Sequence, residues 1–447
     1  MRHVRQTSLY LLLLLALLGQ TLYAQQQGYG GPSLLSRGGN RAGQRGRAPA
    51  DITYYVALRG FADTGLTAVA VDAAGQVQKL STTGTQIEVG LYGAKNVRKG
   101  LLGVDYRGDY RKSFGSRRSG QFNGTNQALS LDYQKRLSQR VLINLRQTGG
   151  TTNRAFGGFV APAFSDLDSL GIPTNQVFDS RTYFSQTSLI AAVQKSARLA
   201  FAFNVDGFFV KRADPALIGN QGYRTGAQFE YRLSTRTSVG AGYNFSEYKH
   251  PRIVGGSTIN TVQVMFRHRV GPNLDILLSG GANRIDSTGS QRVVLSPEIS
   301  AILGRRDGVQ GFRRVAYSPQ VEATVQYRLQ HSALRAGYTG GVNPGNGIYA
   351  TSRQSILRVG YSYAGIRKIA LAASAGYSRN GSVGLTLQDY TSVQGGVGIT
   401  RKLTEYISFS SQIDYRSFSA GTLQGREGFA LTMGFTVSPS RLPLAIW

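Results

Sequence analysis

Stretches of about ten residues, in which apolar and polar side chains alternate, recur along most of this chain. In one of them Val321, Ala323 and Val325 alternate with Glu322 and Thr324. Because successive residues of a strand point to opposite faces, such a stretch has one apolar face and one polar face. A long series of these strands, joined alternately by tight turns and long loops, is typical of a transmembrane β-barrel. We therefore predict an all-β fold, an antiparallel up-and-down barrel that spans a membrane.

Pairing the alternating stretches around the tight turns predicts eighteen strands within a barrel over residues 52–438. The first strand and the region 286–318 are the weakest, and losing one pair there would leave sixteen strands. With the tight turns placed at the periplasmic side, both ends of an eighteen-strand barrel are periplasmic. The predicted strands are 52–63, 85–95, 100–112, 126–136, 140–149, 185–195, 198–211, 224–233, 237–247, 259–270, 273–284, 319–330, 333–342, 353–363, 368–379, 390–401, 405–417 and 426–437.

Residues 1–24 have the pattern of a secretory signal peptide. Arg2 and Arg5 form a basic start, Leu9 to Leu18 form an apolar core, and a small residue, Ala24, precedes the expected cleavage site. A membrane anchor would need about 18 or more apolar residues, and the core is shorter than that. We expect the segment to be removed on secretion.

The segment 25–51 is rich in Gly, Gln and Arg and has almost no apolar pattern, which indicates a flexible periplasmic linker. Its spaced arginines also allow a second interpretation, an arm that binds a polyanion. These arginines are Arg37, Arg41, Arg45 and Arg47. At the other end, residues 439–447 form a short tail after the last predicted strand.

The composition excludes several classes of site. The chain contains no cysteine, so disulfides, thiolate metal sites, cysteine nucleophiles and a lipoprotein anchor are all excluded. Its formal net charge is +28, and loss of Arg2 and Arg5 with the signal would lower this to +26. Basic side chains in the turns and on an inner wall can face lipid phosphates or a water-filled lumen. We therefore expect contact with outer-membrane lipid and lipopolysaccharide, and no nucleic acid partner.

The alternation divides the side chains of the predicted strands into two stripes. The lipid-facing stripe includes Leu102, Val104, Tyr106, Tyr110, Val141, Ile143, Leu145, Phe201, Phe203, Val205, Phe229, Tyr231, Leu431, Met433 and Phe435. The opposite stripe supplies the candidate lumen-lining residues, which are Asp105, Arg107, Asp109, Arg111, Arg146, Glu230, Arg232, Arg267, Arg269, Glu322, Arg328, Asp414 and Arg416. These charges either line water, with a surplus of arginine that favours anions, or pair across a plugged interior. Since eighteen strands enclose room for an aqueous channel, we expect an open or loop-constricted lumen.

Two of the predicted extracellular connections are candidates for folding into the lumen. The loop 150–184 carries apolar residues such as Phe156, Phe159 and Phe164, which are unusual in a solvated loop. The segment 285–318 combines an apolar stretch around Val293 with several arginines.

The residues of this chain give little support to an enzyme. His268 and His331 lie near predicted turns, and His250 lies in a loop with only Glu247 as a nearby carboxylate. Asp166 and Asp168 could hold calcium, but they lack the surrounding ligands of a calcium loop. We expect no enzymatic activity, no cofactor and no metal site.

Two segments resemble the β-barrel porin families, which include outer-membrane barrels of exopolysaccharide-secretion systems. They run from Tyr231 to Tyr243 and from Phe266 to Leu274. The resemblance extends over most of 85–437, and it implies insertion into the Gram-negative outer membrane by the barrel-assembly machinery. It also implies passive or polymer transport, but it assigns no site residues. Barrels of these families usually end on an aromatic residue that closes the last strand. Here the terminal residue is Trp447, but Pro439 and Pro443 separate it from the last predicted strand.

Two functional hypotheses follow from the sequence. The first is a porin that passes small polar or anionic solutes through a basic, mixed-charge lumen. The second is a non-conducting structural barrel, or one associated with polysaccharide export, which acts through its loops and its periplasmic arm together with export partners.

Overall fold

The computed structural model describes most of the predicted barrel. The described residues are 51–64, 69–71, 77–79, 81–97, 100–114, 123–152, 181–213, 217–251, 255–294, 307–343, 350–383, 389–420 and 423–438. The predicted signal peptide, residues 25–50 of the linker, the tail 439–447 and residues 153–180 of the first apolar loop lie outside them.

The described residues form twenty β-strands. They are β1 (Asp51–Asp63), β2 (Val69–Val71), β3 (Val77–Lys79), β4 (Thr82–Val97), β5 (Gly100–Phe114), β6 (Gly124–Arg136), β7 (Val141–Thr152), β8 (Thr182–Gln194), β9 (Leu199–Arg212), β10 (Asn220–Arg232), β11 (Thr237–Lys249), β12 (Gly256–Val270), β13 (Leu274–Val294), β14 (Asp307–Arg328), β15 (Ser332–Asn343), β16 (Ser352–Tyr363), β17 (Ile369–Ser382), β18 (Tyr390–Lys402), β19 (Ile407–Ala420) and β20 (Leu423–Val437).

Eighteen of these strands close into one antiparallel sheet, with each strand hydrogen-bonded to the next along the chain. β1 closes the ring, since it pairs with β20 on one side and with β4 on the other. The remaining two strands, β2 and β3, pair only with each other and lie in the connection between β1 and β4. The predicted up-and-down barrel of eighteen strands is confirmed, and the alternative of sixteen strands is wrong.

The two faces of the closed sheet differ in chemistry. Leu58 of β1 lies in register with Ile87 of β4 and Phe435 of β20, and all three side chains are exposed on the outer face. The neighbouring residues Ala57 and Arg59 point to the enclosed face. In hydrocarbon every backbone polar group must be paired within the protein, and a closed sheet with an apolar outer face meets that requirement. Among the described residues, no helix is long and apolar enough to cross a membrane.

The barrel has two unlike ends. At the turn end, short turns join β4 to β5, β6 to β7, and the later pairs up to β18 and β19. At the loop end most connections are longer, up to the 29 residues between β7 and β8, but only two residues join β19 to β20, where the predicted strands left eight. Both ends of the barrel sheet lie at the turn end, where the Ser438 N–H donates to the carbonyl of Tyr406 in the β18–β19 turn.

The hairpin of β13 and β14 extends beyond its neighbours at the loop end. The strands have 21 and 22 residues, and they stay paired from Leu274–Tyr327 up to Val294–Asp307. β14 pairs with β15 only from Val321 onward, two residues after Pro319, which has no N–H to donate. The sequence predicted a connection over 285–318, and the structure corrects this, because 285–294 and 307–318 continue the strands.

Candidate conduit inside the barrel

All thirteen predicted lumen-lining residues lie on the enclosed face of the wall. In each strand that carries them they alternate with exposed apolar residues of the outer face, as Glu230 does with Phe229 and Tyr231. Asp105, Arg107, Asp109 and Arg111 follow one another along β5 in this way, between Leu102 and Tyr110 on the outer side. The strand period of two residues therefore places these side chains together in the interior.

Arg59 of β1 and Glu88 of β4 form an ion pair on the inner wall. The Glu88 carboxylate also accepts a hydrogen bond of 2.6 Å from the hydroxyl of Tyr55. Sequence reasoning missed this group, because Arg59 and Glu88 were not among the candidate residues although their strands were predicted. The signal that could have found it is their position on the polar stripes of two adjacent strands.

Arg111 of β5 contacts two residues of β1 at the loop end. Its guanidinium lies 3.4 Å from the centre of the Phe61 ring, which is a cation–π contact. A guanidinium nitrogen of the same side chain is 4.0 Å from a carboxylate oxygen of Asp63. Both charged side chains are almost completely buried, so neither is solvated as it would be in an open pore.

Other charged residues of this wall are also paired. Arg107 Nε lies 3.3 Å from Asp105 Oδ1, and Arg146 Nε lies 3.7 Å from Asp132 Oδ1. Asp109 accepts a hydrogen bond of 3.1 Å from the side-chain amide of Asn126. These arginines of β1, β5 and β7 therefore lie beside carboxylates, and this part of the wall is mixed in charge rather than basic.

Charged residues nearer the turn end are more exposed. Arg267 lies 3.9 Å from Glu230, and Arg269 lies 2.8 Å from Asp275. The side chain of Arg269 is 58% exposed, whereas that of Arg107 is 6% exposed. Arg232 and Arg328 are also exposed. The interior is therefore accessible to water near the turns.

The remaining candidates lie on two further strands. Asp414 of β19 accepts hydrogen bonds of 2.7 and 2.8 Å from the Gln412 side chain, which comes two residues earlier on the same face. Arg416 follows on the same stripe and interacts electrostatically with Asp414 and with Asp63. Glu322 of β14 lies opposite Thr339 of β15.

Enclosed side chains near the loop end are buried. Arg212 at the end of β9 is 1% exposed, and Tyr248 at the end of β11 is 2% exposed. An apolar cluster occupies the same level of the interior. It contains Ala128, Phe184, Phe208, Val210, Tyr248, Ile259 and Ile285, with Ala316, Val342 and Val383 packed against it. An open pore would expose these side chains, so the lumen is filled near the loop end.

Two contacts at this level join distant parts of the wall. Arg212 interacts electrostatically with Tyr390 of β18, nine strands away around the ring. Ser257 of β12 contacts Thr351, the residue immediately before β16. The sequence could not have shown either contact, since neither is local in the chain or between neighbouring strands.

The described histidines do not form a catalytic group. His268 bonds to the hydroxyl of Thr237 at 2.9 Å and stacks on Phe266 at the outer face, and His331 lies in the β14–β15 turn. His250 is buried beside Gly219, and burial lowers the pKa of its imidazole. Within the described ranges no group of His, Cys, Asp or Glu residues is placed to hold a metal ion. Asp166 and Asp168, the calcium candidates, lie outside those ranges.

Comparison with known proteins gives structural matches only. No protein-family model and no curated protein matches the chain. Among solved structures, the outer membrane protein OpdK from Pseudomonas aeruginosa is 11% identical, with a TM-score of 0.44 over 87% of this chain and 99% of that chain. OccK9 (OpdG) of the same organism is 13% identical, with a TM-score of 0.44 over 87% and 98%. OccAB1 of Acinetobacter baumannii is 9% identical, with a TM-score of 0.41 over 88% and 98%. At these values the matches add nothing to the fold that the strand pairing establishes.

Proposed function

We propose that this protein is an outer-membrane channel through which small polar or anionic solutes pass passively along a basic, mixed-charge lumen. Short turns at one end and long loops at the other are the arrangement of outer-membrane barrels, with the turns in the periplasm. In this orientation both ends of the barrel sheet are periplasmic. Lipid and lipopolysaccharide contact the outer face, and the barrel-assembly machinery inserts the chain.

The observation that carries this proposal is the polarity of the enclosed face near the turn end. Arg232, Arg269 and Arg328 are exposed there and Arg267 is half-exposed, with Glu230 and Asp275 as the neighbouring carboxylates. Exposed arginines on a water-filled wall lower the energy of a passing anion and raise that of a cation. The thirteen predicted residues then have two roles. The exposed members contact solutes, and the buried members on β5 hold the wall together.

The filled level near the loop end is the constriction of this channel. Its apolar cluster and the contact between Ser257 and Thr351 narrow the passage, and Arg212 is buried at the same level. The interior nearer the turns is accessible to water. A solute that enters from the periplasm therefore meets charged, solvated side chains first and the constriction second. Flow through the channel depends on how far these contacts separate.

Single-channel recording of the purified mature chain in a planar bilayer tests the proposal. Discrete conductance steps are expected, and in a salt gradient the reversal potential should lie on the anion side. Heat-modifiable migration on a gel establishes that the barrel is folded in the same preparation. A folded protein that never conducts contradicts the proposed channel.

The contacts across the interior favour a second candidate function, a non-conducting barrel that supports the envelope or polysaccharide export. In that case the loop end stays closed, and the protein acts through its loops, its periplasmic arm and export partners. This candidate predicts silence in bilayers together with copurification of a periplasmic or polysaccharide partner. Conductance without any added partner would exclude it.

A further inference from the structure

Four turns at the turn end have the same five-residue hydrogen-bond pattern. In each, the first N–H donates to the carbonyl of the fifth residue at 2.9 to 3.0 Å. The hydroxyl of the second residue accepts from the N–H groups of the fourth and fifth at 3.0 to 3.2 Å. The turns are Leu137–Val141, Lys195–Leu199, Leu233–Thr237 and Leu403–Ile407. The serine or threonine thus sets one backbone shape at four places.

Three of these turns carry arginine at the fourth position, and the last carries Tyr406. The arginines are Arg140, Arg198 and Arg236, and all three are exposed. Their turns join β6 to β7, β8 to β9 and β10 to β11, which are consecutive around the ring. Because neighbouring strands lie about 4.8 Å apart, equivalent arginines recur at intervals of about 10 Å along the rim.

The register places further cations directly opposite two of these arginines. The Arg232 N–H donates to the Arg198 carbonyl at 2.7 Å, and the Arg269 N–H donates to the Arg236 carbonyl at 2.8 Å. These bonds extend the strand ladders, so the paired residues share the enclosed side of the wall. Like charges directly opposite each other in a sheet are unfavourable. Among the described residues Arg269 pairs with Asp275. No ion pair is formed there by the other four arginines, Arg140, Arg198, Arg232 and Arg236, which leaves a cationic surface that a ligand from outside the wall can neutralise.

This surface, formed by Arg140, Arg198, Arg232, Arg236 and Arg269, is called the cationic rim. It faces the periplasmic opening of the lumen and not the lipid, which argues against lipid headgroups as its ligand. From Arg140, immediately before β7, to Arg269 of β12 it spans five strand widths, or about 24 Å. That length exceeds a small solute, and it matches about seven residues of an extended peptide.

We propose that the cationic rim docks an acidic segment of a periplasmic protein. The segment lies along the periplasmic mouth, and its carboxylates pair with the turn arginines at their regular spacing. The arginine fork suits carboxylates because it can donate two parallel hydrogen bonds. Docking there brings the partner to the entrance of the lumen, whether or not the barrel itself conducts.

Binding of a fluorescent decaglutamate peptide to the full chain in neutral detergent tests this docking. Fluorescence anisotropy at low salt should show saturable binding that weakens as salt is added. The variant R140Q/R198Q/R236Q should bind about tenfold more weakly, as expected for the loss of three exposed ion pairs. Heat-modifiable migration shows that the variant is folded.

The matched control removes the same charge elsewhere. K211Q/K249Q/R353Q changes three exposed cations on outward-facing positions at the loop end. It should bind the peptide as the unchanged protein does. Equal weakening in both variants, or no peptide binding at low salt, overturns the proposal.

A third measurement locates the bound peptide. Since the chain has no cysteine, Ala197→Cys places a single thiol for a fluorophore between Ser196 and Arg198. Peptide binding should change its emission, whereas a fluorophore at Lys211→Cys should not respond. If a polyuronate oligomer displaces the peptide and binds more tightly than it, the ligand is a sugar polyanion and the proposed protein partner is wrong.

Discussion

The hydroxyl oxygens of Ser257 and Thr351 lie 2.6 Å apart, although three strands separate β12 from β16. Along the wall this separation is about 19 Å. Two short side chains cannot reach across such a distance. The Thr351 carbonyl still accepts a hydrogen bond of 3.0 Å from the Val383 N–H and so remains in the wall. The wall itself therefore curves inward here and brings β12 and the start of β16 together at the constriction.

Replacing both residues by cysteine should produce a cross-link in the folded barrel. In Ser257→Cys/Thr351→Cys, the two sulfur atoms would occupy positions that are already in contact, as disulfide geometry requires. After mild oxidation, the folded form should show a shifted gel mobility that a reductant reverses. Native cysteines cannot interfere, because there are none.

The control pair for the cross-link keeps one of the two cysteines. In Ser257→Cys/Ser408→Cys, the second thiol lies near the turn end of β19, far from Ser257 along the barrel. No cross-link within the chain is expected. If the first pair also stays reduced under the same oxidation, Ser257 and Thr351 are not in contact across the interior.

The features that the sequence predicted correctly are those that depend only on residues close together in the chain. Strand positions depend on a period of two residues, and all eighteen predicted segments correspond to barrel strands. The same period assigned Arg107 and Arg267 to the enclosed face. These features are local, so the sequence alone was sufficient to predict them.

Features that depend on contacts across the ring could not be predicted in this way. The candidates for entering the lumen were 150–184 and 285–318, but the contact between Ser257 and Thr351 across the interior involves neither segment. Much of 285–318 extends β13 and β14 instead, because their backbones remain paired above the end of the β14–β15 ladder. Whether the charged residues of two neighbouring strands form ion pairs or face water also depends on which side chains occupy the lumen. The sequence of one strand does not contain that information.

Reversing charge at the exposed enclosed positions should reduce anion preference. Arg232→Glu/Arg328→Glu replaces two exposed cations by anions near the turn end. A unit charge 4 Å from an ion in water contributes about 1 kcal/mol, or roughly a fivefold effect on its local population. The reversal potential in a salt gradient should shift toward cations. The control Lys211→Glu/Arg353→Glu makes the same change on the outer side, and its reversal potential should equal that of the unchanged protein. Equal shifts in the two variants would mean that only the net charge of the protein matters.

Removing Arg111 should destabilise the barrel because Asp63 is buried. Arg111→Met leaves a carboxylate whose side chain is 1% exposed without one of its cations, and losing one partner of a buried pair costs about 3–5 kcal/mol. Arg416 still interacts with Asp63, so we expect a loss of about 3 kcal/mol, at the lower end of this range. Urea unfolding measures it. The double variant Asp63→Asn/Arg111→Met should recover part of the loss.

An exposed ion pair provides the comparison for Arg111. Arg313 lies 2.5 Å from Asp286 on the long hairpin, and its side chain is 71% exposed. Solvent screens such an exposed pair, so Arg313→Met should leave the unfolding free energy nearly unchanged. Equal losses for the two variants would show that burial does not determine the cost.

Acidification should destabilise the region around His250. Burial lowers the pKa of this imidazole below its ordinary value, so the unfolded chain takes up a proton that the folded chain resists. Stability is then complete above a pH of about 6.5 and falls as the pH drops from there toward the lowered pKa. The loss is about 1.4 kcal/mol for each unit by which the pKa is lowered. Thermal unfolding at pH 8 and pH 5.5 measures it. His250→Asn should reduce the dependence of stability on pH. His331→Asn, at an exposed turn position, should leave that dependence unchanged. The same dependence in all three proteins would show that His250 is not the group that titrates.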